Sequence, residues 1–171
     1  MKIAIAFLVT DKYKIGLDVL LHSIDRYNSL DGIDKILITD DIKEYKDFKI
    51  INVNKDVYKN ILLSLPRLVK TFYKFEIFRI EEYDRIICLD CDMLCLGDIS
   101  YLFSTELDKY DFCAVESADE LQEMENINSG LLVINKPMLN ENVYNDLIKI
   151  AEKMRFPDGG DQGIINFYLK E

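Results

Sequence analysis

The sequence predicts an α/β domain with a mixed, mostly parallel central sheet flanked by helices. Three observations predict it: apolar strand-like runs recur along the chain, helical patterns separate several of them, and an acidic pair, Asp90 and Asp92, follows where one run ends. Strands that alternate with helices are the mark of a sheet built by crossovers. No repeat, low-complexity tract or linker interrupts the 171 residues, so the expectation is one domain over 1–171.

The elements follow in order. Ile3 to Val9 is a first buried strand. Leu17, Leu20, Leu21 and Ile24 recur at helical spacing within Tyr13 to Tyr27, the crossover after that strand. Ile33 to Thr39 and Phe48 to Val53 are two further strands. Ser64 as an N-cap and Pro66 in a first turn open a helix whose stripe runs through Leu68, Val69, Phe72 and Phe75. It leads to the strand Arg85 to Leu89, which delivers Asp90. Phe112 to Val115 and Gly130 to Ile134 complete the strands. Pro137 opens a helix carrying Val143, Leu147, Ile150, Ala151 and Met154, and a last helix begins near Asp161 after the loop Phe156 to Gly160.

In open α/β sheets ligands lie beyond the carboxyl ends of the strands. Thr10 to Tyr13, Asp90 to Asp92, Asn128 to Gly130 and Asp158 to Gln162 are expected at such ends. The third precedes its strand, so that strand must run opposite to the others and the sheet is mixed.

Composition narrows the function. Acids outnumber bases 31 to 21, for a net charge of −10, which opposes any large phosphate-backbone surface and argues against nucleic acid as a partner. Anionic ligands must then be met locally, by a metal, a few lysines and helix N-termini. MKIAIAFLVT is followed at once by Asp11, Lys12 and Lys14 and lacks a small-residue cleavage site. No apolar stretch approaches the ~20 residues of a membrane helix, so the expectation is a cytoplasmic protein with no transmembrane segment. Cys88, Cys91 and Cys95 do not form a zinc set, because Cys88 and Cys91 fall on opposite faces of one strand and no second Cys or His pair exists.

Asp90-Cys91-Asp92 is the most informative feature. Two acids at i and i+2 of a strand share a face, repel each other and are costly to desolvate, so a cation normally compensates them. A divalent ion carrying a diphosphate fits that requirement. Alone the pair is weak evidence, since acids in pairs are common.

Four ordered segments strengthen it: FLVTDKYKIGLDVLLHSI, TFYKFEIFRIEEYDRIICLDCDMLCLGDISYLF, INSGLLVINKP and DGGDQGIINFYL. Spread over almost the whole chain, they resemble the glycogenin-like retaining glycosyltransferases of family 8, which include galactinol synthase and lipopolysaccharide galactosyltransferases. The resemblance implies a GT-A fold, a Rossmann-like arrangement, with a UDP-sugar donor and a divalent cation, Mn2+ or Mg2+. It places Asp90 and Asp92 as metal ligands and Cys91 between them at the donor. It places Thr10 and Asp11 at the base and ribose, Tyr13 stacked on uracil, and Lys74 at donor phosphate or sugar. Asn128 and Ser129 would line the sugar pocket, and Asp161 and Gln162 would lie at the reacting sugar, with Asp158 a weaker neighbour.

The expected reaction is metal-dependent transfer of a hexose, glucose or galactose, to a hydroxyl of a saccharide, a lipid-linked sugar or a protein side chain. Family members generally continue to a His-x-Gly-x-x-Lys-Pro-Trp segment. These residues hold none, so the resemblance leaves Asp90 and Asp92 as the protein's metal ligands and implies looser donor binding. Members often pair as homodimers, although no exposed apolar stripe in this sequence demands it. A noncatalytic nucleotide-sugar-binding module is the alternative. A sugar nucleotidyltransferase would want a Gly-rich loop after the first strand, where only Gly16 stands.

Overall fold

The structure, a computed structural model, describes residues 1–62, 66–117, 126–155 and 160–170. Ser64 and Asp158, both named from the sequence, lie outside the described residues. Among the described residues six strands form one sheet: β1 (Ile3–Leu8), β2 (Asp34–Thr39), β3 (Lys49–Asn52), β4 (Arg85–Asp90), β5 (Phe112–Glu116) and β6 (Ile127–Asn135), in the order β3-β2-β1-β4-β6-β5. β1 pairs in parallel with β2 and β4, and β2 with β3, whereas β6 is antiparallel to both β4 and β5. The sheet is mixed through the strand that carries Asn128.

Each face of the sheet has its own core. Ala4, Ala6, Ile86, Cys88, Leu132 and Ile134 face one, while Ile5, Phe7, Ile87, Leu89 and Val133 face the other. This is the period-two alternation of strands, and burial on both faces is why these strands read as nearly unbroken apolar runs. Helix α1 (Lys14–Asp25) covers the second face through Leu17, Leu20 and Ile24. The first face is covered by α2 (Glu141–Lys153), α3 (Asp161–Lys170) and the helix before β4.

That last helix is a 3-10 helix over Pro66–Arg79. At three residues per turn, side chains at i and i+3 eclipse, so each third residue forms a row. Phe72, Phe75 and Phe78 form a buried apolar row. Lys70, Tyr73 and Glu76 form a second row, bonded to Asp40 and Tyr58. Thr71 and Lys74 belong to a third, turned toward α3 and β6.

Three sequence expectations need correction. Pro137 lies in a short 3-10 turn, Lys136–Met138, and α2 starts later because the side chain of Asn140 caps it, accepting from the N–H groups of Asn142 and Val143. Strand β6 begins at Ile127 rather than Gly130, since Asn166 of α3 holds both the N–H and the carbonyl of Ile127. Asp161 opens α3, where the sequence puts the start of a last helix, so Asp161 and Gln162 of the segment also expected at strand ends arrive on a helix instead. In addition, Ile15 and Val19, one turn apart on α1, stand exposed with Leu94 and Leu96, although no apolar stripe was expected at the surface. No helix among the described residues is long and apolar enough to cross a membrane.

Candidate active site

The chain adds β2 and β3 on one side of β1 and β4 on the other, so the crevice between the carboxyl ends of β1 and β4 is the switch point where such sheets bind ligands. Leu8 pairs with Asp90 there. Asp90 is the last residue of β4, and Cys91 and Asp92 lie in the turn beyond it. Strand alternation therefore does not place the two acids; Asp92 is set by the turn and is exposed, while the Asp90 side chain is 37% exposed. The Cys91 side chain packs into the core under α1, and burial raises its thiol pKa.

Gly16 explains how α1 reaches this turn. A Cβ there would stand 2.7 Å from the carbonyl oxygen of Cys91, an approach that glycine alone permits. Farther along, Ser23 of α1 accepts from the Cys95 N–H, and Asn28, just past α1, from that of Ile99, so this stretch also holds the segment from Cys95 to Ile99.

Opposite Asp90 the β5–β6 ladder is irregular. Ala114 pairs with Leu132 but Val115 pairs with Asn128, so Ser129, Gly130 and Leu131 have no β5 partner. Such a bulge frees backbone groups and re-aims side chains. Both groups of Ser129 are captured: its N–H donates to Gln162 Oε1 at 3.1 Å, and its carbonyl accepts from Lys74 Nζ at 2.8 Å. Asn128 is exposed, with Oδ1 accepting from the Gly130 N–H. A Cβ on Gly130 would meet that oxygen at 2.9 Å and Asp90 Oδ2 at 3.6 Å, so glycine keeps the space before Asp90 open.

Lys74 is the hub. The sequence puts it on an amphipathic helix, and the family resemblance implies a contact with donor phosphate or sugar. The structure buries its side chain to 2% exposure, with Nζ 2.9 Å from Asp90 Oδ1 and 3.1 Å from Asp161 Oδ2. Burial works to lower its pKa, but the charges of Asp161 and Asp90 outweigh burial and hold it above the ordinary value. The Asp90 carboxyl is raised, chiefly by burial and against the pull of Lys74, with Asp161 and Asp92 adding to the rise. Burial pushes the Cys88 thiol beneath them up to about 12, so it stays protonated.

Thr10 is buried after β1, and its carbonyl accepts from the Tyr13 N–H at 2.8 Å. Tyr13 is 52% exposed, with the Lys12 ammonium 5.5 Å from its ring centre. Asp11 lies in the 3-10 turn between them. The structure thus brings Lys74, Asp90, Ser129, Asp161 and Gln162 into one bonded cluster, with Asn128 beside it. Thr10 and Tyr13 sit just past the end of the neighbouring strand β1.

Two groups went unnoticed in the sequence. Asp40, just past β2, is bonded by Lys70 at 3.0 Å and Lys55 at 3.1 Å, which overcome burial and keep its carboxyl below the usual range. Thr71 accepts from the Asp161 N–H. The i, i+3 repeat of Phe72, Phe75 and Phe78 was the available signal, because in a 3-10 helix it puts Thr71 and Lys74 on one row.

Among the described residues no three His, Cys, Asp or Glu side chains converge as a metal cage. Asp90 and Asp92 are hard oxygen donors of the kind Mn2+ or Mg2+ takes, and Asp90 Oδ2 faces the space that Gly130 leaves open, so the pair fits such an ion.

The sequence profile of glycosyl transferase family 8 matches residues 4–170. Inositol phosphorylceramide glucuronosyltransferase 1 of Arabidopsis thaliana is 28% identical over 98% of this chain and 30% of its own length. Glycosyltransferase GlyB of Streptococcus pneumoniae is 30% identical over 98% and 45%, and glycogenin-1 of Caenorhabditis elegans 29% over 96% and 38%. The chain spans less than half the length of these relatives. Among solved structures, an active-site mutant of LgtC superposes with a TM-score of 0.76 at 17% identity, covering 95% of this chain and 70% of that one. GlyE of Streptococcus pneumoniae gives 0.73 at 23%, covering 98% and 43%. The shared architecture is the GT-A fold.

Proposed function

Because the chain belongs to glycosyl transferase family 8, we propose that it is a retaining, metal-dependent hexosyltransferase that moves glucose or galactose from a UDP-sugar to a hydroxyl acceptor. The observation that carries this reading is the buried ammonium of Lys74 joining Asp90 at the end of β4, Ser129 of β6 and Asp161 of α3. A structural ion pair needs one acid. Here one cation organises two acids and a bulged strand around an open crevice.

Each residue has a distinct task. Tyr13 offers an exposed ring for the uracil, with Thr10 and Asp11 beside it for base and ribose. Asp90 and Asp92 hold the divalent cation, which when bound neutralises charge on the departing diphosphate. Asn128, Ser129 and Gln162 present fixed amide and hydroxyl groups for sugar recognition. Asp161 orients the reacting sugar and stabilises positive charge that develops at its anomeric carbon. Lys74 holds both carboxylates in place through its two ion pairs.

In the front-face route the acceptor oxygen forms its bond to the anomeric carbon on the side from which the diphosphate leaves. The carbon–oxygen bond to phosphate breaks, and the acceptor's proton passes to the departing phosphate oxygen. Configuration is retained without a covalent sugar on Asp161, in contrast to the double displacement of retaining glycosidases.

The test is mass-spectrometric detection of sugar transfer and UDP release from a panel of UDP-sugars, with and without manganese. Asp161→Asn should bind donor normally and turn over about a hundredfold or more slowly, whereas Asp92→Asn should lose manganese-dependent donor binding. Donor binding with no turnover in any arm would leave a nucleotide-sugar-binding module instead.

A further inference from the structure

We propose that Lys70 selects the base of the donor nucleotide, its ammonium donating to a ring carbonyl of uracil at the place where cytosine carries an amino group. The inference rests on the nucleotide-sugar reading of this site.

The 3-10 helix before β4 crosses the ends of three strands. Lys74 bonds Asp90, the last residue of β4, and Lys70 bonds Asp40, the first residue past β2. Strand β1 runs between those two, and the chain leaves it toward Thr10 and Tyr13. Two strand spacings are about 9.6 Å and four residues of a 3-10 helix rise about 8 Å, so the helix lies nearly along the row of strand ends. A diphosphate at Asp90 and Asp92 with its base on Tyr13 therefore carries the far edge of that base toward the end of β2, where Lys70 stands.

Asp40 holds Lys70 in that place. Its side chain is 1% exposed, with Lys70 Nζ at 3.0 Å, Lys55 Nζ at 3.1 Å and the Tyr73 hydroxyl donating at 3.4 Å. One cation would compensate this carboxylate; two do so, from different elements. Lys55 comes from the turn after β3, which lies on the side of β2 away from β1. Lys70 comes from the helix that spans the crevice. An ammonium has three donors, of which Asp40 takes one, and Asp41 Oδ2 at 3.8 Å lies beyond hydrogen-bond reach. The Lys70 side chain is 44% exposed, so it is anchored and still has donors for a ligand.

Uracil offers a keto oxygen, O4, where cytosine offers an N–H donor. Lys70 would attract the first and repel the second, which is selection by both a favourable and an unfavourable contact.

Calorimetry of the full chain with UDP and with CDP, each with manganese, reads this preference without turnover. The wild-type protein should bind UDP at least about tenfold more tightly than CDP, and Lys70→Met should bring the two within about twofold, chiefly by weakening UDP. Lys55→Met takes the other cation from Asp40. It should lower the melting temperature about as much as Lys70→Met does, yet keep the wild-type ratio. If Lys70→Met alone does not fold, the same change combined with Asp40→Asn, which also removes the stranded charge, carries the same expectation.

Equal affinity of the wild-type protein for UDP and CDP, an unchanged ratio in the Lys70 variant, or an equal loss in Lys55→Met overturns the proposal and leaves the donor site standing. A wild-type protein that binds neither nucleotide overturns the donor reading and this proposal with it.

Discussion

The ammonium of Lys74 stands 3.1 Å from Oδ2 of Asp161, with the two side chains 2% and 6% exposed. Removing one member of such a pair leaves an uncompensated charge where water does not reach, and typically destabilises by about 3–5 kcal/mol. Lys74→Met should therefore shift the urea midpoint down by an amount equivalent to that loss at pH 7. Part of it should return in acid, where the Asp90 carboxyl, raised by burial, takes up a proton. An unchanged midpoint would show that Asp90 and Asp161 do not depend on the cation.

Asp90 makes the opposite prediction. Its folded pKa is raised, first by burial. A group with a raised folded pKa contributes stability in full below its unfolded pKa, and loses it as pH rises through the folded value. Ionised Asp90 thus costs stability at neutral pH, even beside Lys74, which retains Asp161 as a partner. Asp90→Asn should melt higher than wild type at pH 7 and converge with it near pH 3, while manganese-dependent donor binding falls at least about tenfold. A variant that melts lower at pH 7 would mean that the Lys74 pairing outweighs desolvation.

The strands and the position of Asp90 were legible because each depends on local pattern: an apolar run, buried on both faces, ends at a polar residue. The partners of Asp90 were not. Whether Lys74 is solvated or buried depends on β6 and α3 closing over it from 55 and more positions along the chain. The capture of the Ser129 backbone was equally hidden, because it follows from a ladder irregularity between β5 and β6 that composition does not encode. Asp92 was located by strand alternation, and that local rule failed as soon as the strand ended at Asp90.

Arg85 separates stability from site chemistry. It lies at the start of β4, fully buried, and donates to Asn135 Oδ1, to the carbonyls of Leu102 and Ser104, and to Asp108 Oδ1. Arg85→Leu strands these acceptors and should lower stability by about 3–5 kcal/mol. Lysine cannot reproduce the planar fork and should rescue little. Because β4 carries Arg85 at one end and Asp90 at the other, the variant that remains folded should bind donor as wild type does. Weakened donor affinity in the folded fraction would show that the two ends are coupled.

Gly16→Ala sets two effects against each other. Alanine inside a helix is favoured over glycine by about 1 kcal/mol. At this position its Cβ would lie 2.7 Å from the Cys91 carbonyl oxygen, a backbone atom that cannot swing aside. Overpacking of this kind costs about 1–3 kcal/mol, so the clash outweighs the propensity gain. Relief requires α1 to move away from the turn that carries Asp92. The variant should therefore melt below wild type and lose manganese-dependent donor affinity together. Gly97→Ala, with nothing among the described residues within 4 Å of the new Cβ, should change neither. A Gly16→Ala protein that is more stable and binds donor equally well would show that the approach of α1 does not set the geometry of the acidic turn.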